Sequence, residues 1–143
     1  MHMIRKAVNE DVDNIYRLIC LLEETTFDYE TFKMIYEKQL NDNNHFFLVY
    51  EDNGIHALCH FVISYHLHHC AKVCDIYELV VNEECRGKGS GKQLLQEVDK
   101  ISKEYQCVQV ELDTNQRRKN AHRFYEREGM KQTHYCYTKK LEK

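Results

Sequence analysis

The residues whose types and spacing best suit chemistry lie between positions 79 and 92 and read LVVNEECRGKGSGK. A strand-like run ends there, and three glycines in five positions, Gly87, Gly89 and Gly91, lead directly into a helical pattern. Glycines allow a tight turn and leave backbone N–H groups uncovered, and a helix start adds unpaired N–H groups with partial positive charge. The stretch therefore predicts a site for a polyanion, most naturally a pyrophosphate.

Basic side chains in the same loop strengthen this interpretation. Arg86, Lys88 and Lys92 add full positive charges to the partial charges of the backbone. A plain glycine-rich turn with solvated lysines is the alternative, because three glycines alone are a weak signal. The spacing to a Lys-Ser/Thr pair excludes a Walker A loop, and the glycine pattern is a poor match to the dinucleotide-binding fingerprint.

A carboxylate precedes this loop on the same strand. Strand alternation places Glu78 on one face with Ile76 and Val80. A carboxylate on an otherwise apolar strand is unfavourable unless it is exposed or partnered. Glu78 is therefore predicted to act as a general base for an ammonium substrate, directly or through water. A solvated edge position is the alternative.

A second unusual cluster is the run His66-Leu67-His68-His69-Cys70. His66 and His68 share one face of a strand by the two-residue period, and pairing across the following turn is expected to bring them near Glu78. Two histidines and a carboxylate can bind a divalent metal, or an anionic group of a substrate. Solvated imidazoles at a polar hairpin end are the alternative, since no standard zinc spacing is present.

Hydrophobic periodicity and turn signals predict the elements that position these groups. The expected strands cover residues 4–8, 45–51, 55–68, 73–81, 107–112 and 134–140, and the expected helices cover residues 10–24, 29–40, 89–105 and 119–127. Asp28 is a predicted helix cap, and Asn53-Gly54 is a predicted hairpin turn. The order β-α-α-β-β-β-α-β-α-β joins early strands by hairpins and later ones by helices, so we expect a mixed sheet in an α/β fold.

Composition narrows the class of protein. The chain has 143 residues, which fits a single domain over residues 1–143. A net charge of −3 argues against a nucleic-acid partner, and no apolar run approaches the length of a membrane span. The start of the chain carries no apolar run typical of a signal peptide. Seven cysteines, an odd number without a C-x-x-C pair, indicate free thiols in the cytoplasm.

Two motifs resemble one known family. Arg86-x-x-Gly89-x-Gly91 resembles the acyl-CoA pyrophosphate loop of the GNAT superfamily of N-acetyltransferases, and the segment from Arg118 to Met130, R-x-x-A-H-x-F-Y-x-x-x-G-M, resembles the later half of the family pattern. Many members carry Asn in place of Arg118 and Phe in place of Met130. The resemblance implies a mostly antiparallel central sheet flanked by helices, and acetyl-CoA as the co-substrate.

The same resemblance implies roles for individual residues. Pantetheine is expected to pair with the strand backbone at Leu79, Val80 and Val81, where N–H groups would face the thioester oxygen. Tyr125 matches the family tyrosine near the CoA sulfur and is the expected proton donor, with simple packing at a helix–strand junction as the alternative. The remaining expected cofactor-binding residues are Arg86, Gly87, Lys88, Gly89, Ser90, Gly91, Lys92, Asn115 and Asn120.

A narrower resemblance covers nearly the whole chain. The segments IYRLIC at 15–20, FD at 27–28, HLHH at 66–69, ELVV at 78–81, TN at 114–115, AHRFY at 121–125 and REG at 127–129 look like the aminoalkylphosphonate N-acetyltransferases. That resemblance implies a small primary amine carrying a phosphonate as substrate, the help of a divalent metal, and the option of a homodimer. A protein or peptide N-acetyltransferase and a non-catalytic acyl-CoA-binding sensor are the alternatives.

Overall fold

The computed structural model describes residues 2–142 and forms two compact units, one up to Leu112 and the other from Asp113 onward. The strands of the first unit are β1 (Met3–Lys6), β2 (His45–Glu51), β3 (Ile55–His66), β4 (Ala71–Val81) and β5 (Gln109–Leu112). Its helices are α1 (Val12–Glu23), α2 (Tyr29–Leu40) and α3 (Ser90–Glu104), and the second unit contains α4 (Lys119–Arg127). Within residues 2–142, every helix is too short or too polar to cross a membrane.

The five strands form one sheet whose spatial order follows the chain, β1-β2-β3-β4-β5. The first three pairings are antiparallel, and β5 lies parallel to β4. The β2–β3 hairpin turns where Asn53 and Gly54 take positive φ angles of 55° and 119°, which these two residue types tolerate. The prediction of a mixed, mostly antiparallel sheet is confirmed.

Helices cover both faces of this sheet. Phe47 of β2 packs edge-on against Tyr36 of α2, while its neighbour Phe46 packs edge-on against Tyr105 at the end of α3. Adjacent residues of a strand point to opposite faces, so α2 and α3 lie on opposite sides. The main core cluster sits on the α1 and α2 side and contains the buried residues Ala7, Ile15, Leu18, Tyr36, Phe47, Val49, Ile55, Leu58 and Val80.

An irregularity in β4 changes which residues share a face. Phe61 of β3 pairs with Ile76, but the next residue back along β3, His60, pairs with Glu78, so Tyr77 is an extra residue. Such a bulge shifts the side-chain alternation of the bulged strand by one position. The prediction that Glu78 shares a face with Ile76 is therefore wrong, because Ile76 points with Phe61 to the opposite side.

The second unit confirms one predicted element and corrects another. Helix α4 has the predicted bounds, and Gly129 follows it with a φ of 89° while the Met130 N–H bonds back to Tyr125 O at 3.0 Å. The predicted closing strand at 134–140 is wrong, since no strand forms there. A strand needs a partner for its backbone N–H and C=O groups, and within residues 2–142 no strand pairs with this segment.

Candidate active site

The glycine-rich loop presents backbone N–H groups at the start of α3. Gly87 and Gly89 take positive φ angles of 80° and 90°, and the helix begins at Ser90. The first intrahelical bond runs from the Gln93 N–H to Gly89 O at 3.0 Å, so the amides of residues 90–92 precede it. The Arg86 amide, in contrast, bonds inward to Glu83 O at 3.3 Å. The amides that an anion can use therefore lie at the helix start.

Open space borders this loop. An added Cβ at Gly87 would meet no atom within 4 Å, and one at Gly89 would meet only the side-chain nitrogen of Gln93 at 4.0 Å. The Ser90 hydroxyl is buried and has no hydrogen-bond partner within the described part of the chain. A buried hydroxyl without a partner is unfavourable, so this one is suited to a bound ligand. Arg86 Nε donates to Val81 O at 3.2 Å and ties the loop to the end of β4.

Within residues 2–142, one edge of the last residues of β4 has no partner strand. Leu79, Val80 and Val81 pair with β3 on one side. On the other side the parallel ladder with β5 ends at Ile76 and Leu112. Backbone groups beyond that point are therefore available to an extended ligand chain, as expected for pantetheine.

Glu78 directly precedes Leu79 on β4, and its carboxylate contacts a buried histidine. Its Oε1 lies 2.6 Å from Nδ1 of His60, and 29% of its side chain is exposed. Glu78 also lines a cavity of about 180 Å³ between α1, α2 and the sheet. The other lining residues are Ile15, Ile19, Phe32, Ile35, Tyr36, Gln39, Phe47 and Leu58. A single carboxylate in a mostly apolar lining suits a small ammonium group.

A second histidine continues from His60 toward the surface. Nε2 of His60 lies 2.9 Å from Nδ1 of His45, whose Nε2 lies 4.0 Å from Asp42. Burial, then the nearby His60 ring, hold the pKa of His45 below its ordinary value. Sequence reasoning missed both histidines. The sequence did contain one indication: His60 stands within the apolar run ALCHFVI at residues 57–63, where a polar ring needs hydrogen-bond partners.

The histidine cluster of the β3–β4 turn does not lie near Glu78. His66 pairs with Ala71, six positions along β3 from the His60–Glu78 pair, which corresponds to about 20 Å between backbone positions. The ligand atoms that cluster with His66 belong to Asp75 and Glu111, and Glu78 is not among them. Strand β3 ends at His66, so His68 lies in the turn rather than on the strand face. The predicted juxtaposition of His66 and His68 with Glu78 is wrong.

Two other carboxylates, those of Asp75 and Glu111, lie beside His66. His66 Nε2 lies 3.1 Å from Asp75 Oδ2, and ligand atoms of His66, Asp75 and Glu111 all lie within 4.8 Å of one another. The same spacing joins His66 to His68 and His69. Burial, together with the hydrogen bond to Glu111, raises the pKa of Asp75 to about 6. Sequence reasoning missed both carboxylates, because their approach depends on the β4–β5 pairing.

The second unit contains three of the predicted site residues. Tyr125 lies on α4 with its ring 5.6 Å from that of Phe124. The Asn115 side-chain oxygen accepts hydrogen bonds from Arg117, and that of Asn120 accepts one from Arg123 at 3.3 Å. Both asparagine oxygens thus have local partners, and the roles of all three residues toward CoA stay predictions.

Comparisons with known proteins agree on one family. The model of the acetyltransferase (GNAT) family matches residues 10–130. An aminoalkylphosphonate N-acetyltransferase of Salmonella typhimurium is 37% identical over 139 residues, which is 96% of this chain and 90% of that protein.

Solved structures share the fold. A transcriptional regulator from Bacillus halodurans superposes with a TM-score of 0.90 at 20% identity, covering 99% of this chain and 100% of that one. An aminoglycoside N-acetyltransferase in complex with CoA superposes with a TM-score of 0.87 at 15% identity, covering 99% and 95%. At these identities the likeness establishes architecture alone.

Proposed function

The chain belongs to the acetyltransferase (GNAT) family, and from this premise we propose that it transfers the acetyl group of acetyl-CoA to the primary amine of an aminoalkylphosphonate. The 37% identity to an aminoalkylphosphonate N-acetyltransferase over most of both chains supports this substrate class. One observation carries the proposal. The carboxylate of Glu78 lines a small cavity and is followed directly by the unpaired edge of β4 and by the glycine loop.

Glu78 accepts the proton that the amine must lose. An alkylamine is protonated at neutral pH, and only the neutral amine has a lone pair to attack the thioester carbon. Among the described residues lining the cavity, Glu78 is the one with a charged side chain, so it attracts the ammonium and then takes its proton. The C–N bond then forms, the C–S bond breaks, and the thiolate leaves.

Three further roles in this proposal follow from the family resemblance. The amides at residues 90–92, with Arg86, Lys88 and Lys92 nearby, hold the diphosphate of CoA. Backbone N–H groups near Leu79 and Val80 face the developing oxyanion. Tyr125 supplies the proton that the leaving thiolate takes.

We assign the divalent metal that the narrower resemblance implies to His66, Asp75 and Glu111. One imidazole and two carboxylates within 4.8 Å of one another suit a divalent transition metal, and the buried Nδ1 of His66 has no partner in residues 2–142. His68 is the further candidate ligand from the same turn. His66, Asp75 and Glu111 lie on β3, β4 and β5, so a metal held here would cross-link three adjacent strands.

An amine panel tests the substrate class. Release of the CoA thiol is measured with aminoalkylphosphonates, polyamines and short peptides, each with and without a chelator. We expect the aminoalkylphosphonates to give the highest kcat/KM. Preference for peptides would favour a protein N-acetyltransferase, and tight acetyl-CoA binding without turnover on any amine would favour a sensor.

The role of Glu78 is tested by the Glu78→Gln substitution. Loss of a general base lowers kcat by about 10²–10⁴-fold, while the dissociation constant of CoA stays unchanged. Glu104→Gln, at the exposed end of α3, is the matched control and keeps wild-type kcat. Full activity of the Glu78 variant on the preferred amine would remove this residue from the mechanism.

The cellular setting completes the proposal. All seven cysteines are free, which supports a reducing compartment such as the cytoplasm. The homodimer that the family resemblance implies stays a prediction, which analytical ultracentrifugation would test.

A further inference from the structure

A line of hydrogen bonds runs from the cavity to His45, a half-buried residue at the start of β2. Glu78 Oε1 meets His60 Nδ1 at 2.6 Å, and His60 Nε2 meets His45 Nδ1 at 2.9 Å. We call Glu78, His60 and His45 the histidine chain. It joins three adjacent strands, since His45 lies on β2, His60 on β3 and Glu78 on β4.

His60 sits where an apolar side chain is usual. Only 1% of its surface is exposed, its ring stacks on Phe47 at 3.9 Å between centroids, and Tyr77 covers it edge-on at 5.3 Å. A buried imidazole in such surroundings is unfavourable unless both of its nitrogens are bonded. Both are bonded here, one to Glu78 and one to His45, so the ring has a fixed orientation.

The donor and acceptor atoms determine the direction of the hydrogen bonds in the histidine chain. An ionised Glu78 can only accept, so His60 must carry its proton on Nδ1. A neutral His60 then has a bare Nε2, which must accept from a proton on Nδ1 of His45. The bare Nε2 of His45 is left at the outer end, and both donors point toward Glu78.

We propose that His60 is a positioning residue for the base Glu78, and that His45 fixes the tautomer in which His60 donates to it. His60 occupies Oε1 and leaves Oε2 to meet the amine in the cavity. This contact holds the carboxylate in one orientation beside the cavity that it lines. This inference rests on the proposed function, because it assumes that Glu78 is the base.

Two further titratable side chains, Tyr77 and Asp42, approach the imidazole rings of His60 and His45. Tyr77 of β4 lies edge-on to both rings, 5.3 Å from His60 and 6.0 Å from His45 between centroids. Asp42, just before β2, approaches the outer nitrogen of His45 at 4.0 Å. Within residues 2–142, Tyr77, Asp42 and Glu78 are the titratable groups in contact with the two histidines.

Substitutions at His60 test the proposal through the pH profile. His60→Leu removes the donor, and His60→Asn retains an amide N–H close to the position of Nδ1. We expect His60→Leu to lower kcat about tenfold to a hundredfold and to displace the acid limb of the kcat/KM profile from its wild-type position, with unchanged CoA affinity. His60→Asn is expected to recover part of both effects.

A matched control separates this role from packing. His56 lies on the same strand and bonds the backbone oxygen of Asp52 instead, so His56→Leu should lower stability while the pH profile stays as in the wild type. A His60→Leu variant with wild-type kcat and pH profile, or equal losses in His60→Leu and His60→Asn, would overturn the proposal.

Two further measurements keep the test decisive if His60→Leu fails to fold. His45→Leu, at a site where 14% of the side chain is exposed, should reproduce the shift of the acid limb with a smaller loss of kcat. Imidazole ¹⁵N NMR of the wild-type protein should find the His60 proton on Nδ1, and a ring protonated only on Nε2 would overturn the proposal. If Glu78→Gln is fully active, the proposed base fails; if it is inactive while His60→Leu is normal, this inference alone fails.

Discussion

Replacing one glycine of the loop tests whether its backbone holds the diphosphate of CoA. Gly89 caps α3 with a φ of 90°, a conformation that an L-residue adopts only with strain. In Gly89→Ala the added Cβ meets only Gln93 Nε2 at 4.0 Å, so the methyl group itself fits. The strain therefore comes from the backbone, which can relieve it by turning toward negative φ and moving the amides of Ser90 and Gly91.

The size of the effect follows from these two contributions. A left-handed conformation costs an L-residue about 1–2 kcal/mol. For a chain of this size that corresponds to a fall in Tm of roughly 3–8 °C. A hydrogen bond to a charged group contributes about 1.5–3 kcal/mol, so losing one to the diphosphate raises the Kd of CoA roughly tenfold to a hundredfold.

Gly54→Ala is the matched control. Gly54 has a φ of 119° in the β2–β3 turn, and its added Cβ would meet only His56 Cε1, also at 4.0 Å. Both variants should lose Tm, but only Gly89→Ala should lose CoA affinity in isothermal titration calorimetry at fixed ionic strength. If the two variants lose Tm alike and bind CoA as the wild type does, the loop does not hold the diphosphate.

Two other substitutions have effects of predictable sign. Ser90→Ala removes a buried hydroxyl that has no partner in residues 2–142. We expect the variant to have a Tm equal to or above that of the wild type and to bind CoA more weakly. A clear fall in Tm would contradict this prediction. Asp11 accepts hydrogen bonds from Arg5 at 2.8 Å and 3.0 Å, and these bonds lower the pKa of its carboxyl group. The ionised carboxylate therefore stabilises the fold at pH values above the pKa of the unfolded state, which is near 4. This contribution is lost as the pH falls through the lower pKa of the folded state. Asp11→Asn should therefore lower the free energy of unfolding by about 1–3 kcal/mol at pH 7, measured by urea denaturation. The difference between variant and wild type should shrink below about pH 4. A difference that stays constant with pH would argue against the ion pair.

Local features of the sequence predicted much of the fold. Strand β2 and helix α4 have the predicted bounds, and Asp28 accepts a hydrogen bond from the Thr31 N–H as a predicted helix cap. Gly129 takes the positive φ expected after a helix. These features depend on residues within a few positions of one another, so the sequence carries the whole signal.

Long-range register explains the failures. The extra residue at Tyr77 reverses the face of Ile76 relative to Glu78, and no local pattern announces it. The contact of His60 with Glu78 spans 18 positions and forms only in this register. The strand expected at 134–140 alternates well, but alternation supplies no partner for its backbone.

The sequence by itself determined the class of fold, because periodicity and capping residues act over short stretches of chain. Its motifs resemble those of the family that the comparisons show, and its glycine spacing predicts the loop for a polyanion. Only the tertiary structure decided that Glu78 belongs to a buried chain with His60 and His45, and that His66 belongs with Asp75 and Glu111. The physical reason is that side chains from different strands meet according to register, and one inserted residue in a strand changes which side chains meet.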